Sequence, residues 1–149
     1  MTIAGIPQRA LIVSGSFGSA LDASQVVAAI GRGLQAGGRP EPDACPLELA
    51  GEETEDVQGL LEAVDFDARM RAARGVIVGA ARLHERTLAG SVTFEIATRA
   101  RQGGVPAYAV TGENALDSFD ARILDLQLIL EARTMRALAA AGRKLAKVM

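Results

Sequence analysis

Hydrophobic residues occur along the chain in short uninterrupted runs that alternate with stretches of helical spacing. The runs Ala10–Ser14, Gly75–Gly79 and Val105–Val110 are apolar and lead into glycine or polar residues, as buried strands do. Prolines bound and interrupt a weaker run over Ala44–Leu49, which places it at the edge of a sheet. Apolar residues at nearly every position of Ile123–Leu130 predict a fourth strand there.

Helices are predicted between these strands. Asp22 and Gln25 have the spacing of a capping box, and the helix that they begin ends at Gly37. Apolar positions four residues apart predict a second helix around Val92–Ala100, and Glu131–Val148 has the composition of a third.

The segment between residues 55 and 74 has two interpretations. It forms either two short helices, Val57–Val64 and Phe66–Ala73, or one helix that is broken near Asp65.

Strands alternating with helices predict a doubly wound, Rossmann-like α/β fold, with a mostly parallel sheet between two layers of helices. The 149 residues correspond to one domain over residues 1–149. Such a domain is large enough to bury an ordinary hydrophobic core.

Composition and charge exclude several classes of function. A net charge of −2 and 3% aromatic residues without Trp do not favour nucleic-acid binding. One Cys and one His cannot form a disulfide or a protein-only zinc site, so we predict no metal site of that kind. No apolar run is long enough to span a membrane and the first residues do not have the pattern of a secretory signal, so we expect a cytoplasmic protein.

Three polar segments follow predicted strands: Ser14–Ala20, Ala80–Thr87 and Thr111–Asp117. In a parallel sheet they lie at the carboxyl ends of the strands, where ligands bind. Their hydroxyl, amide and guanidinium groups are suited to a small carboxylate or phosphate. The residues that carry these groups or charges are Ser14, Ser16, Ser19, Arg82, His84, Arg86, Thr87, Thr111, Glu113 and Asn114.

Each of these candidates has an alternative explanation. The Gly15–Ser19 segment binds an anion or is only a flexible turn. Arg82 and Arg86 bind a ligand or form surface ion pairs with Glu85 or Glu113, which contribute little to stability.

Four segments match, in order, the motifs of one enzyme family. Val13–Ala23 is similar to Pro-Asp-Ser-Phe-Lys-Gly-Ser-Leu-Ser-Ala, and Pro46–Thr54 to Pro-Leu-Ala-Asp-Gly-Gly-Glu-Gly-Thr. Gly79–Ser91 is similar to Gly-Glu-Gly-Arg-Leu-Asp-x-Gln-Thr-x-x-Gly-Lys, and Val105–Gly112 to a Val-Pro strand with a terminal Gly. The chain therefore resembles the bacterial-type glycerate kinases. The resemblance and the polar segments together predict a substrate site that includes Gly15, Ser16, Phe17, Arg82, Arg86, Thr87, Thr111 and Gly112.

The charged residues of the family motifs are replaced in this chain. Gly15 and Leu49 stand where the family has Asp, and Gly18 stands where it has Lys. His84 replaces a further Asp, and Ser91 replaces a further Lys. The family also has a second domain, in place of which this chain has only about residues 55–74. We therefore expect a shortened, degenerate single-domain relative.

Three functions are compatible with this sequence. The first is a pseudoenzyme that binds a small anion, glycerate-like or phosphate. The second is an active kinase or transferase with altered residues, in which His84 and Glu113 act as acid and base and ATP with Mg²⁺ is the cofactor. The third is a structural or oligomerisation partner, since loss of a domain exposes the surface that faced it. A homodimer is compatible with all three.

Overall fold

The computed structural model describes residues 9–48, 56–85 and 90–149. In chain order the elements are β1 (Ala10–Ser14), α1 (Ala23–Ala36), β2 (Asp43–Pro46), α2 (Val57–Ala63), α3 (Phe66–Arg71), β3 (Gly75–Leu83), α4 (Val92–Gln102), β4 (Ala107–Asn114), α5 (Ser118–Leu124), β5 (Ile129–Glu131) and α6 (Met135–Val148).

The five strands form one parallel sheet in the order β2-β1-β3-β4-β5. Ser14 pairs with Gly79, and Gly79 pairs with Val110, so these strands end at a common carboxyl edge. The opposite edge, where the strands begin, is called the amino edge below. The strand order reverses between β1 and β3, which is where doubly wound sheets form a ligand crevice. The predicted doubly wound α/β class is confirmed.

Helices cover both faces of the sheet. On one face α1 and α6 pack on Ile12, Ile77 and Val110. On the other face α2, α3 and α4 contribute apolar residues to a second cluster around Val78 and Ala109. The site therefore rests on a core that is closed on both sides. Among the described residues, no helix has both the length and the apolar character that membrane crossing requires.

The helices α1 and α6 approach each other closely because glycines line their contact. A methyl group on Gly33 would lie 2.0 Å from the Ala139 carbonyl oxygen. A methyl group on Gly142 would lie 2.2 Å from the Ile30 carbonyl oxygen. Both helices begin at the carboxyl edge and end at the amino edge. Their close packing therefore fixes the position of α6 relative to α1.

Several element boundaries differ from the sequence predictions. β3 and β4 continue to Leu83 and Asn114, through segments that were predicted to be loops from Ala80 and Thr111 onward. They extend because they pair with each other beyond the end of β1. The edge strand is observed over Asp43–Pro46.

The predicted strand over Ile123–Leu130 is wrong except at its last two residues, Ile129 and Leu130. The Asp117 side chain accepts the Asp120 N–H and begins α5, so Ile123 and Leu124 are helical. Only Ile129–Glu131 is a strand.

The structure also sets the boundaries of two predicted helical segments. The C-terminal helix begins after Thr134, which caps it, instead of at Glu131. Between residues 55 and 74 the structure has two short helices, separated at Asp65 by a left-handed backbone (φ 56°).

Candidate functional site

The segment after β1 folds back onto the sheet through Phe17. Its N–H donates to the Leu21 carbonyl at 2.8 Å, and its ring is buried. The ring lies over two glycines, since methyl groups on Gly79 and Gly112 would lie 3.6 and 3.8 Å from it. Phe17 therefore joins the turn to β3 and β4 by apolar contact. Its side chain belongs to the core, and its proposed role in substrate binding stays a prediction.

Gly15 and Ser16 are half-buried beside this ring. The Ser14 hydroxyl is buried and donates to the Gly15 carbonyl at 2.8 Å. The Ser16 hydroxyl makes no hydrogen bond within the described part of the chain, so it is available to a ligand at the carboxyl edge.

Arg82 and Glu113 face each other across the extended ends of β3 and β4. Arg82 Nε lies 3.6 Å from Glu113 Oε2, and the two side chains are 53% and 49% exposed. The ion pair considered in the sequence analysis therefore exists. Because it is long and solvated, it is worth only about 0–1 kcal/mol. The guanidinium of Arg82 remains accessible at the carboxyl edge.

Thr111 and Gly112 lie within β4 and serve the fold. Thr111 is fully buried, and its hydroxyl donates to the Glu113 carbonyl at 3.0 Å. A methyl group on Gly112 would lie 2.6 Å from the Ala81 carbonyl oxygen, so only glycine fits there. The Thr111 hydroxyl is already bonded, and its role in ligand binding stays a prediction.

His84 is half-buried and directly follows β3, the strand that pairs with β4 at Glu113. The structure therefore brings both proposed acid–base residues to the same part of the carboxyl edge. Arg86 and Thr87 lie outside the described residues.

Acidic side chains are concentrated where α5 begins. Desolvation and the carboxylates of Asp117 and Glu85 raise the pKa of Asp120. This side of the carboxyl edge is thus electrostatically unfavourable to a further anion.

Sequence reasoning missed two residues, Glu131 and Arg133. Glu131 Oε2 accepts the Asn114 N–H at 3.0 Å, and Arg133 Nε donates to the Gly112 carbonyl at 2.7 Å. Glu131 is the last residue of β5 and Arg133 follows that strand, so the rule that selected the other candidates applies to them as well. They were missed because the last strand was placed too early and Glu131 was assigned to a helix.

The described residues do not fit magnesium and ATP, which the family motifs imply. Of the carboxylates on the strand ends, Glu113 faces Arg82 and Glu131 holds the Asn114 N–H. Lys144 and Lys147 lie near the end of α6, at the amino edge. Within residues 9–48, 56–85 and 90–149, no three His, Cys, Asp or Glu side chains are grouped so that they could hold a metal ion.

Comparisons with known proteins support one family. A sequence model of the glycerate kinase family matches residues 49–147. A protein described as glycerate kinase 2 from Salmonella typhimurium LT2 is 16% identical with a TM-score of 0.48, over 70% of this chain and 28% of its own. The chain therefore spans well under a third of the length of that protein. No curated protein sequence matches the chain.

Two further solved structures share the fold at low identity. A flavone reductase is 16% identical with a TM-score of 0.50, over 94% of this chain and 62% of its own. A 3-dehydroquinate dehydratase-like protein from Bifidobacterium longum is 12% identical with a TM-score of 0.50, over 96% of this chain and 98% of its own. At these identities the similarity shows the α/β fold alone.

Proposed function

The chain belongs to the glycerate kinase family, and from this premise we propose that it is a catalytically degenerate member that binds a small carboxylate or phosphate at the carboxyl edge. The exposure of Arg82 carries the proposal. Its guanidinium lies at the strand ends with only a 3.6 Å ion pair to Glu113. A planar guanidinium binds carboxylate or phosphate oxygens through two hydrogen bonds, which are stronger than so loose a contact.

The surroundings of Arg82 support binding of an anion. Gly15 and Ser16 lie at the end of β1, which neighbours β3 in the sheet. A half-buried Ser16 hydroxyl gives a ligand a hydrogen-bond donor on the opposite side of the switch point. A small hydroxy acid or phosphate thus has both a charged and a neutral partner.

The loss of phosphoryl transfer is proposed from the positions of the charges. Transfer requires cations or a metal on the moving phosphate and a base for the acceptor. Lys144 and Lys147 lie at the amino edge, and Gly15, Gly18 and Ser91 stand where the family motifs carry charge. The charges that remain at the carboxyl edge suit binding better than transfer.

A calorimetric titration tests the proposal. Glycerate, phosphoglycerate and inorganic phosphate are titrated into the wild-type chain, Arg82→Ala and Arg32→Ala; Arg32 is an exposed arginine in the second half of α1. We expect Arg82→Ala to weaken binding at least tenfold and Arg32→Ala to leave it unchanged. At ten times its Kd the ligand stabilises the wild type by about 1.4 kcal/mol, or about 4 °C in Tm.

Two results contradict the proposal. One is the absence of binding by any of these anions. The other is ATP-dependent turnover of glycerate above roughly 1 per second, an ordinary enzyme rate. That turnover, if abolished by His84→Ala, would favour the alternative in which altered residues catalyse the reaction.

One observation favours self-association as an additional property. Phe119 and Ile123 lie one turn apart on α5 and are 71% and 38% exposed. In an antiparallel contact of two α5 helices, Phe119 of one copy meets Ile123 of the other, as a two-fold interface requires. Size-exclusion chromatography with light scattering tests this homodimer, and Phe119→Ser is expected to give a monomer.

A cytoplasmic location is part of the proposed function, and fractionation of cells tests it.

A further inference from the structure

The carboxyl edge is divided by charge. Glu85, Asp117 and Asp120 lie together where α5 begins, and the carboxylates of Asp117 and Glu85 interact unfavourably with Asp120. An incoming anion is therefore repelled from the part of the carboxyl edge where α5 begins. Arg133 lies at another part of this edge, after β5, and contacts the Gly112 carbonyl.

Arg133 lies between β5 and α6, and the backbone holds its guanidinium. Its Nε donates to the Gly112 carbonyl at 2.7 Å. The Arg82, Arg69 and Arg99 side chains each lie within 4.0 Å of a carboxylate, but Arg133 has no such partner in the described ranges. Its positive charge is therefore oriented but not neutralised by an ion pair.

The hydrogen bond to Gly112 leaves one edge of the guanidinium open. A guanidinium that donates from Nε still has its two Nη groups, which bind two oxygens of one carboxylate or phosphate. Because Gly112 is wedged against the Ala81 carbonyl, the carbonyl that anchors Arg133 is fixed in position. The arginine is thus preorganised, which lowers the entropic cost of binding an anion.

We propose that Arg133 is a second anion-binding residue of this site and that the ligand is a small organic acid with two anionic groups. Arg82 faces the Glu113 side chain and Arg133 donates to the Gly112 carbonyl, so both arginines contact the end of β4. One guanidinium donates hydrogen bonds to the carboxylate and the other donates to the second anionic group. The inference rests on the proposed function because it adds a residue and a ligand class to the same site.

The test compares a ligand of two anionic groups with a ligand of one. Phosphoglycerate and glycerate are titrated calorimetrically into the wild type, Arg133→Ala, Arg133→Gln and Arg136→Ala. Arg136 is an exposed arginine in the first turn of α6 and gives the same change of net charge. Arg133→Gln retains a donor for the Gly112 carbonyl, so it preserves the fold if Arg133→Ala does not.

We expect Arg133→Ala and Arg133→Gln to weaken phosphoglycerate binding at least tenfold, and Arg136→Ala less than twofold. The preference of the wild type for phosphoglycerate over glycerate should disappear in both Arg133 variants. If Arg82→Ala weakens binding and the Arg133 variants do not, this inference is overturned and the proposed function stands. If the wild type binds neither compound, both fail.

Discussion

The two edges of the sheet use arginine in opposite ways. At the amino edge Arg74 donates to the Met149 carbonyl oxygen at 3.0 and 3.2 Å, and Arg39 donates to the carbonyl oxygens of Ala146 and Met149. At the carboxyl edge Arg82 has a solvated 3.6 Å ion pair. The amino-edge donors are thus committed to closing the fold, whereas the Arg82 guanidinium at the carboxyl edge remains accessible.

The same contrast separates two ion pairs, one near each edge of the sheet. Arg69 holds Asp43 through two hydrogen bonds of 2.6 and 3.0 Å, with both side chains about 30% exposed. Arg82 and Glu113 are about half exposed and form no hydrogen bond. Changes near the amino edge should therefore lower stability, and changes at the carboxyl edge should alter binding while leaving stability nearly constant.

The largest effect is expected from Gly33→Ala. The added methyl group would lie 2.0 Å from the Ala139 carbonyl oxygen, which must force α1 and α6 apart. We expect a loss of about 3 kcal/mol in the free energy of unfolding, measured by urea denaturation.

Gly31→Ala is the matched control in the same helix. Its methyl group would lie 3.3 Å from Pro42 Cγ, a side-chain atom. Because alanine is the better helix former by about 1 kcal/mol, this variant should be close to wild type or more stable. Equal losses from both variants would contradict the close packing of α1 and α6.

The next effect concerns Asp43 and depends on pH. The hydrogen bonds from Arg69, which outweigh partial desolvation, hold the pKa of Asp43 below its ordinary value of 3.8. A lowered pKa stabilises the fold above the unfolded value, and this contribution is lost as pH falls through the folded value. Asp43→Asn should therefore cost about 1–2 kcal/mol at pH 7 and progressively less below pH ~4.

Glu113→Gln provides the comparison at the carboxyl edge. Its free energy of unfolding at pH 7 should stay within about 0.5 kcal/mol of wild type, because the Arg82 pair is exposed. A cost as large as that of Asp43→Asn would abolish the distinction between the two edges.

The smallest effect is on binding by the same Glu113→Gln variant. Removing the carboxylate leaves Arg82 without competition, so phosphate affinity should rise about twofold to fivefold, a difference of about 0.4–1 kcal/mol. Calorimetric titration with inorganic phosphate measures it, and Glu62→Gln, on α2, is the charge-matched control. A weaker affinity in Glu113→Gln would contradict the assignment of Arg82 as a ligand-binding residue.

Local sequence signals predicted much of the fold. Asp22 and Gln25 form the capping box that begins α1. The apolar run at β1 was predicted with the bounds Ala10–Ser14 that the structure has. In each case neighbouring residues alone determine the structure, through a cap or an uninterrupted buried strand.

Pairing between distant segments was harder to predict. Ala80–Leu83 was predicted as the start of a polar loop, and it is a strand because Thr111–Asn114 lies beside it. In the same way, the apolar residues around Ile123 suited a strand, but Asp117 caps a helix there. The error displaced the last strand and so concealed Arg133. Errors in a candidate site thus follow from errors in strand ends.

The ends of β3 and β4 extend beyond the last residue of β1, and there they pair with each other as a two-stranded ribbon. The hydrogen bonds between β3 and β4 beyond Gly79 do not involve β1. They can therefore open while the hydrogen bonds between β1 and β3 stay intact. Hydrogen exchange should therefore be faster at Arg82 than at Val78. For protein engineering, the half-exposed Arg82 and Glu113 are the positions of this ribbon to exchange when recognition is to be altered, whereas Leu83 and Thr111 are buried and must be kept.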